Sequence, residues 1–146
     1  MKLFGEYTHK TVARHVCNFA RVAVKVDRIN KNHLIDAHSS NAVSVIYDSA
    51  NPDVSEDWIR SATEGIHWAS KELKVNPNEY SITLVKTQGH LADTTENTVW
   101  CSAVLATWRA FSSLHSLNEP KLEFRNGGWY LVFNDGRVLN LLTDGV

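Results

Sequence analysis

No stretch of this 146-residue chain approaches about 20 uninterrupted apolar side chains, so a membrane-spanning helix is excluded. The opening residues, Met1-Lys-Leu-Phe-Gly-Glu6, lack the long apolar region of a secretory signal, and the expected location is the cytoplasm. Cysteine is scarce: Cys17 and Cys101 are far apart and outside any C-x-x-C pattern, which favours reduced, buried thiols over a disulfide. Phosphate-binding glycine patterns are missing too. Without G-x-x-x-x-G-K-[ST] there is no nucleotide-triphosphate cradle, and without G-x-G-x-x-G and further βα units a Rossmann-like reading fails. A G-x-S-x-G elbow and a paired Cys–His signature are also absent, so hydroxyl and thiol side chains are present without an identifiable nucleophile. No cofactor is expected.

What the chain does have is an uneven charge. Residues 1–31 hold seven basic side chains (Lys2, Lys10, Arg14, Arg21, Lys25, Arg28, Lys31) against Glu6 and Asp27, a net +5, while the whole chain carries −1. Such asymmetry marks a surface for phosphate or an acidic partner, or else is neutralised across the folded domain. The length suits one domain with a sizeable core, and five tryptophans supply apolar area for it.

Taken in order, residues 9–28 read two ways. Val12, Val16, Phe19, Ala20, Ala23 and Val24 form a helical stripe, whereas Val22, Val24 and Val26 alternate as a strand. A short helix or irregular turn followed by a strand over 20–28 is expected. Residues 29–41 are polar and turn-prone, a loop. Ala42 to Tyr47 is the next strand, stopped by Asn51-Pro52. Asp53 with Glu56 suggests a capping box for a helix carrying Trp58, Ile59, Ala62, Ile66, Ala69 and Leu73 on one face. Tyr80 to Val85 is a strand. Asp93-Thr94-Thr95-Glu96 then reads as a second capping box, with Asp93 as the cap of a helix built on Val99, Trp100, Ala103, Val104, Ala110 and Phe111. Three short strands end the chain, joined through Asn126-Gly-Gly128 and Asn134-Asp-Gly136, which supply the positive-φ residues that hairpin turns demand. The order β-β-α-β-α plus a β-meander predicts one α+β domain: a two-layer sandwich with two helices on one face of a mixed sheet. Its parts are a basic segment and loop (1–41), a βαβα core (42–117) and the meander (118–146).

The run Thr83-Leu84, five residues, His90, two residues, then Asp93-Thr94-Thr95-Glu96 resembles the T-L-x5-H-x2-D-[ST]-[ST]-E run of the fourth domain of elongation factor G. Gly65-Ile66-x-x-Ala69 is similar to the G-I-x-x-A of that domain's first helix, and the resemblance spans roughly residues 42–115. It implies a ribosomal-protein-S5-domain-2-like core that contacts the ribosome rather than hydrolysing GTP. In the family, the tip of the domain uses a Gly-rich loop between early strands and the turn before the D-[ST]-[ST]-E helix. The second maps to Gln88, Gly89 and His90; the first maps to residues 30–41, which contain no glycine.

The resemblance further implies that loops 29–41 and 86–92 emerge at one end of the sheet. That end would gather Lys31, His33, His38, Lys86, Gln88, Gly89 and His90, with Lys25 and Arg28 beside it, a set able to meet phosphates and hydrogen-bond bases. His33, Asp36 and His38 share ligand chemistry with zinc sites, but their spacing matches no metal motif, and solvated loop residues are expected. His90 and Asp93 have base-and-orienter chemistry without a nucleophile to serve. The expected function is a small non-catalytic binding module contacting RNA or the ribosome. Its rivals are a protein–protein interaction module, such as a homodimer or an inhibitor- or immunity-type protein, and, third, an enzyme, since fold alone does not fix function. No membrane partner is expected.

Overall fold

The alternation at the amino terminus explains the first element. Leu3, Gly5 and His9 are buried while Phe4, Thr8 and Lys10 are exposed, the two-residue period of a half-buried strand. A computed structural model of the chain describes residues 2–13, 16–29, 42–48, 55–89, 94–112 and 118–144. In it β1 (Lys2–Ala13) and β2 (Val16–Arg28) form one long antiparallel hairpin. The helix or irregular turn expected before residue 20 is therefore replaced by strand. The helical stripe was an artefact of two consecutive strands, and the cross-strand pairing decides the matter.

β3 (Ser44–Tyr47), α1 (Glu56–Glu72), β4 (Tyr80–Gln88) and α2 (Glu96–Ala110) follow, and the four strands make a sheet of order β1-β2-β4-β3. β2 runs antiparallel to β4, whereas β3 runs parallel to it, joined by the α1 crossover. The fold is thus α+β, with both helices on one face of a mixed sheet. The β1–β2 hairpin outruns its neighbour: β4 stops opposite Arg21, while β1 and β2 stay paired as far as Ala13 and Val16.

The core lies between sheet and helices. Val22, Val24 and Val26 of β2 and Ile82 and Leu84 of β4 meet Ala62, Ile66 and Ala69 of α1 and Val99, Ala103 and Ala106 of α2, all essentially inaccessible to solvent. Small residues set the spacing. A Cβ on Gly65 would stand 2.6 Å from the Trp100 carbonyl oxygen, so α1 and α2 approach backbone to backbone at that point.

The C-terminal β5 (Lys121–Arg125), β6 (Gly128–Val132) and β7 (Val138–Leu139) form the expected meander, followed by the short α3 (Leu141–Asp144). The β5–β6 turn has Asn126 at φ 49° and Gly127 at φ 83°, the two left-handed residues of a two-residue hairpin loop. The meander packs on α2 from the side away from the large sheet. Phe133 touches Trp68 and Trp108, with ring centroids 5.7 and 5.9 Å apart. At the other end of α2, Asn97 donates to the Trp129 carbonyl at 2.9 Å and accepts from the Leu141 amide at 3.0 Å. Covered on both sides, α2 buries every residue from Thr98 to Trp108.

Both helix starts differ from the expected caps. Asp53 and Asp93 lie outside the described residues, and neither is the cap. The α1 cap is Ser55, whose side chain makes no capping bond. The α2 cap is Thr95, which accepts from the Thr98 amide at 3.1 Å, while Thr98 Oγ1 accepts from the Thr95 amide, also at 3.1 Å. The box is shifted because Thr95 and Thr98 satisfy both orphan amides between themselves, leaving Glu96 to the first turn. Thr95→Ala is expected to cost about 1 kcal/mol in urea denaturation. An unchanged midpoint would place the helix start elsewhere.

At its C-terminus α1 ends in Lys74 at φ 56°. The Val75 amide donates to the Ser70 carbonyl at 2.9 Å and the Lys74 amide to Lys71 at 3.1 Å. This is a Schellman turn with lysine where glycine is usual.

Candidate nucleic-acid interface

Among the described residues, helices and meander leave the other face of the large sheet open, and the strand registers say what stands on it. Phe4 pairs with Lys25, Lys25 with Thr83, and Thr83 with Ile46, so these four residues form one row across all four strands. The next rows hold Glu6, Ala23 and Lys86, then Thr8, Arg21 and Gln88. A bulge between Ala23 and Val24 admits the extra residue Val85 on β4 and keeps Lys86 opposite Ala23. Ala23 is 2% exposed although it lies on this face, as expected of a methyl among long neighbouring side chains.

Among the described side chains four cations share the face: Lys10, two residues beyond Thr8 on β1, Arg21, Lys25 and Lys86. Against them stand Glu6, 2.9 Å from Arg21, and Asp27, 3.7 Å from Lys25. Those pairs are a third or more exposed, and such pairs contribute only about 0–1 kcal/mol, so a phosphate can compete for either cation. Lys10 and Lys86 have no carboxylate partner among the described residues. The sequence asymmetry is thus resolved in space, because most of the basic residues of the first 31 belong to one hairpin.

Among the expected site residues, Lys25, Lys86 and Gln88 lie on this face and Gly89 directly follows β4. Arg28 closes β2 opposite Tyr80, with its Nη2 3.4 Å from the Tyr80 hydroxyl and its guanidinium 5.7 Å from the ring centre. Lys31, His33, His38 and His90, with Asp36 and Asp93, lie outside the described residues. The expected meeting of loops 29–41 and 86–92 at one end is corrected by the register. β2 is antiparallel to β4, so Arg28 meets the start of β4 and Gln88 lies at its far end, opposite Arg21. Seven residues of strand separate the two ends, about 23 Å. β3 begins opposite Ser81, so the chain leaves β2 and enters β3 at the Arg28 end of the sheet. Phe4 and Lys10 were not placed at the site from the sequence, nor were Ile46 and Arg21, although Lys10 and Arg21 were counted in the basic asymmetry of residues 1–31. The alternation of residues 3–10 was the available signal for the first two.

Two further features bear on chemistry. Cys101 is fully buried in α2 and burial pushes its thiol up to about 12, which makes it inert. His9, on the helix face of β1, is 2% exposed and meets Trp129 edge-on at 4.4 Å. Burial holds His9, and also His67 of α1, below the usual histidine range. A histidine with a depressed folded pKa contributes full stability above its unfolded value of about 6.5, and that contribution is lost as pH falls through the folded value. The urea midpoint should therefore drop between pH 7.5 and 5.5, and His9→Gln should flatten the drop. An equal slope in the variant would assign it to other groups.

No protein-family model matches the chain, and no curated protein matches it in sequence. Solved structures do match in fold, 43 chains in number. One is a crystal structure of a protein from Thermus thermophilus, with a TM-score of 0.59 at 12% identity over 78% of this chain. The match covers 16% of the Thermus protein, which is several times longer. At that identity the likeness carries the fold alone. Among the described residues no helix is long and apolar enough to cross a membrane.

Proposed function

We propose that this chain is a non-catalytic binding module of the cytoplasm that contacts RNA, in the manner implied by its resemblance to the fourth domain of elongation factor G. The observation that carries the reading is the open sheet face. Four cations stand there against two carboxylates, with Thr8, Thr83 and Gln88 between them as hydrogen-bond partners. The sequence run from Thr83 to Glu96, similar to that of the family, gives the reading its ribosomal direction. The rival interaction module gains less support, because the β1 and β5 edges are blunted. Arg109 donates to the Glu6 carbonyl at 3.2 Å and lies 4.8 Å above the Tyr7 ring, while β5 alternates Lys121, Glu123 and Arg125.

Binding to ribosomal particles and to protein-free ribosomal RNA, followed from low to moderate salt, tests the proposal. Affinity should fall steeply with salt, and Lys25→Ala with Lys86→Ala should weaken it and flatten the slope by about one unit per lost contact. Arg60→Ala on α1 should change neither. Binding that ignores salt, or no binding at all, would favour a protein partner.

A further inference from the structure

We infer that the RNA bound by the open sheet face is single-stranded, and that Phe4 is the platform on which one of its bases stacks. This rests on the preceding reading and narrows it. Phe4 is 57% exposed and Ile46 55%, at the two ends of the row that runs through Lys25 and Thr83. An isolated exposed apolar residue needs no explanation, but here both are on the charged face. A duplex offers a flat surface only its phosphates, and its bases are closed to an aromatic ring. A single strand offers both a π-face and a phosphate, which is what an aromatic beside a cation can use.

The spacing suits that pairing. Lys25 is directly opposite Phe4 on the adjacent strand, about 5 Å away between Cα atoms, so a base laid on the ring leaves its phosphate within reach of the ammonium group. Two residues further along, Lys86 holds the same face with no carboxylate partner among the described residues, and Arg21 follows. The cations thus form a track along the strands rather than a point. Thr83 and Gln88 place a hydroxyl and an amide along that track, groups that can meet the 2′-hydroxyl of ribose.

The test compares a fluorescent ten-nucleotide oligouridylate, the same length of oligothymidylate and a ten-base-pair RNA duplex by anisotropy at fixed salt. The oligouridylate should bind at least tenfold more tightly than either of the others. Phe4→Ala should lose about tenfold for the oligouridylate, and Phe4→Trp should retain or improve binding, since a larger ring stacks at least as well. Phe4 is exposed, so these variants should keep the native unfolding midpoint. Duplex binding as tight as the single strand, or an unchanged Phe4→Ala, would overturn this inference and leave RNA binding itself standing. Equal affinity for oligothymidylate would overturn the assignment to RNA. Failure of every nucleic-acid probe would remove both readings, and capture of polyglutamate at equal strength would show a cation patch without a stacking site.

Discussion

Gly5→Ala is expected to destabilise the protein by about 3 kcal/mol, the upper range for forcing atoms into a packed core, and to lower the melting temperature by roughly 6 to 12 °C. A Cβ at Gly5 would overlap the Ala106 carbonyl oxygen and stand 2.5 Å from the Ala110 amide nitrogen. These are backbone atoms of α2, so no side-chain rotation relieves the clash. Nor can α2 retreat, because α1 and the meander hold its other sides. Gly128→Ala is the control: its Cβ would meet Tyr130 at 3.6 Å, an ordinary contact, and the variant should be neutral or slightly stabilised. Similar losses at both positions would mean that β1 is not pressed against α2.

Trp100→Ala should cost about 3 to 5 kcal/mol, enough to leave a marginally stable domain largely unfolded at 37 °C. Trp100 is wholly buried, packs on Trp68 at 5.6 Å between ring centres, and offers its carbonyl to the close approach of Gly65. Removing the indole leaves a cavity between the two helices where backbone contact already limits how far they can close. Trp100→Phe refills most of that space and should cost clearly less. Urea denaturation of both variants measures the difference. Equal losses would mean that side-chain volume is not what fills the site.

The helices and the meander were legible in the sequence because their signals are local. Trp58 to Leu73 repeats at helical spacing, and Asn126-Gly127 can hardly be anything but a tight turn. The Thr95 cap was missed by two residues because Asp93-Thr94-Thr95-Glu96 offers more than one capping side chain, and the reciprocal bonds of Thr95 and Thr98 decide between them. The hairpin was missed for a different reason. Val12, Val16 and Phe19 fit a helical stripe, and only the pairing of β1 with β2 makes them strand. Antiparallel β2–β4 pairing brings together residues 52 apart in sequence, such as Arg28 and Tyr80, and nothing local encodes it. That pairing separated the two expected loops and left the open face as the candidate site. Lys86 and Gln88 share a face by local strand alternation, but only the bulge at Val85, set by the pairing with β2, brings them onto the face of Lys25.

The double coverage of α2 also constrains when the chain can complete its fold during synthesis. By the time Phe111 has been made, the large sheet can cover one side of the helix, but the side that Leu131 and Phe133 will cover is still bare. Residues 121–139 must leave the ribosome before that apolar side has a partner. Until then the nascent chain exposes the kind of surface that chaperones hold and that neighbouring nascent chains adhere to. Ribosome-stalled chains ending before residue 121 should therefore be chaperone-bound and protease-sensitive, and release should come as a single late step rather than strand by strand.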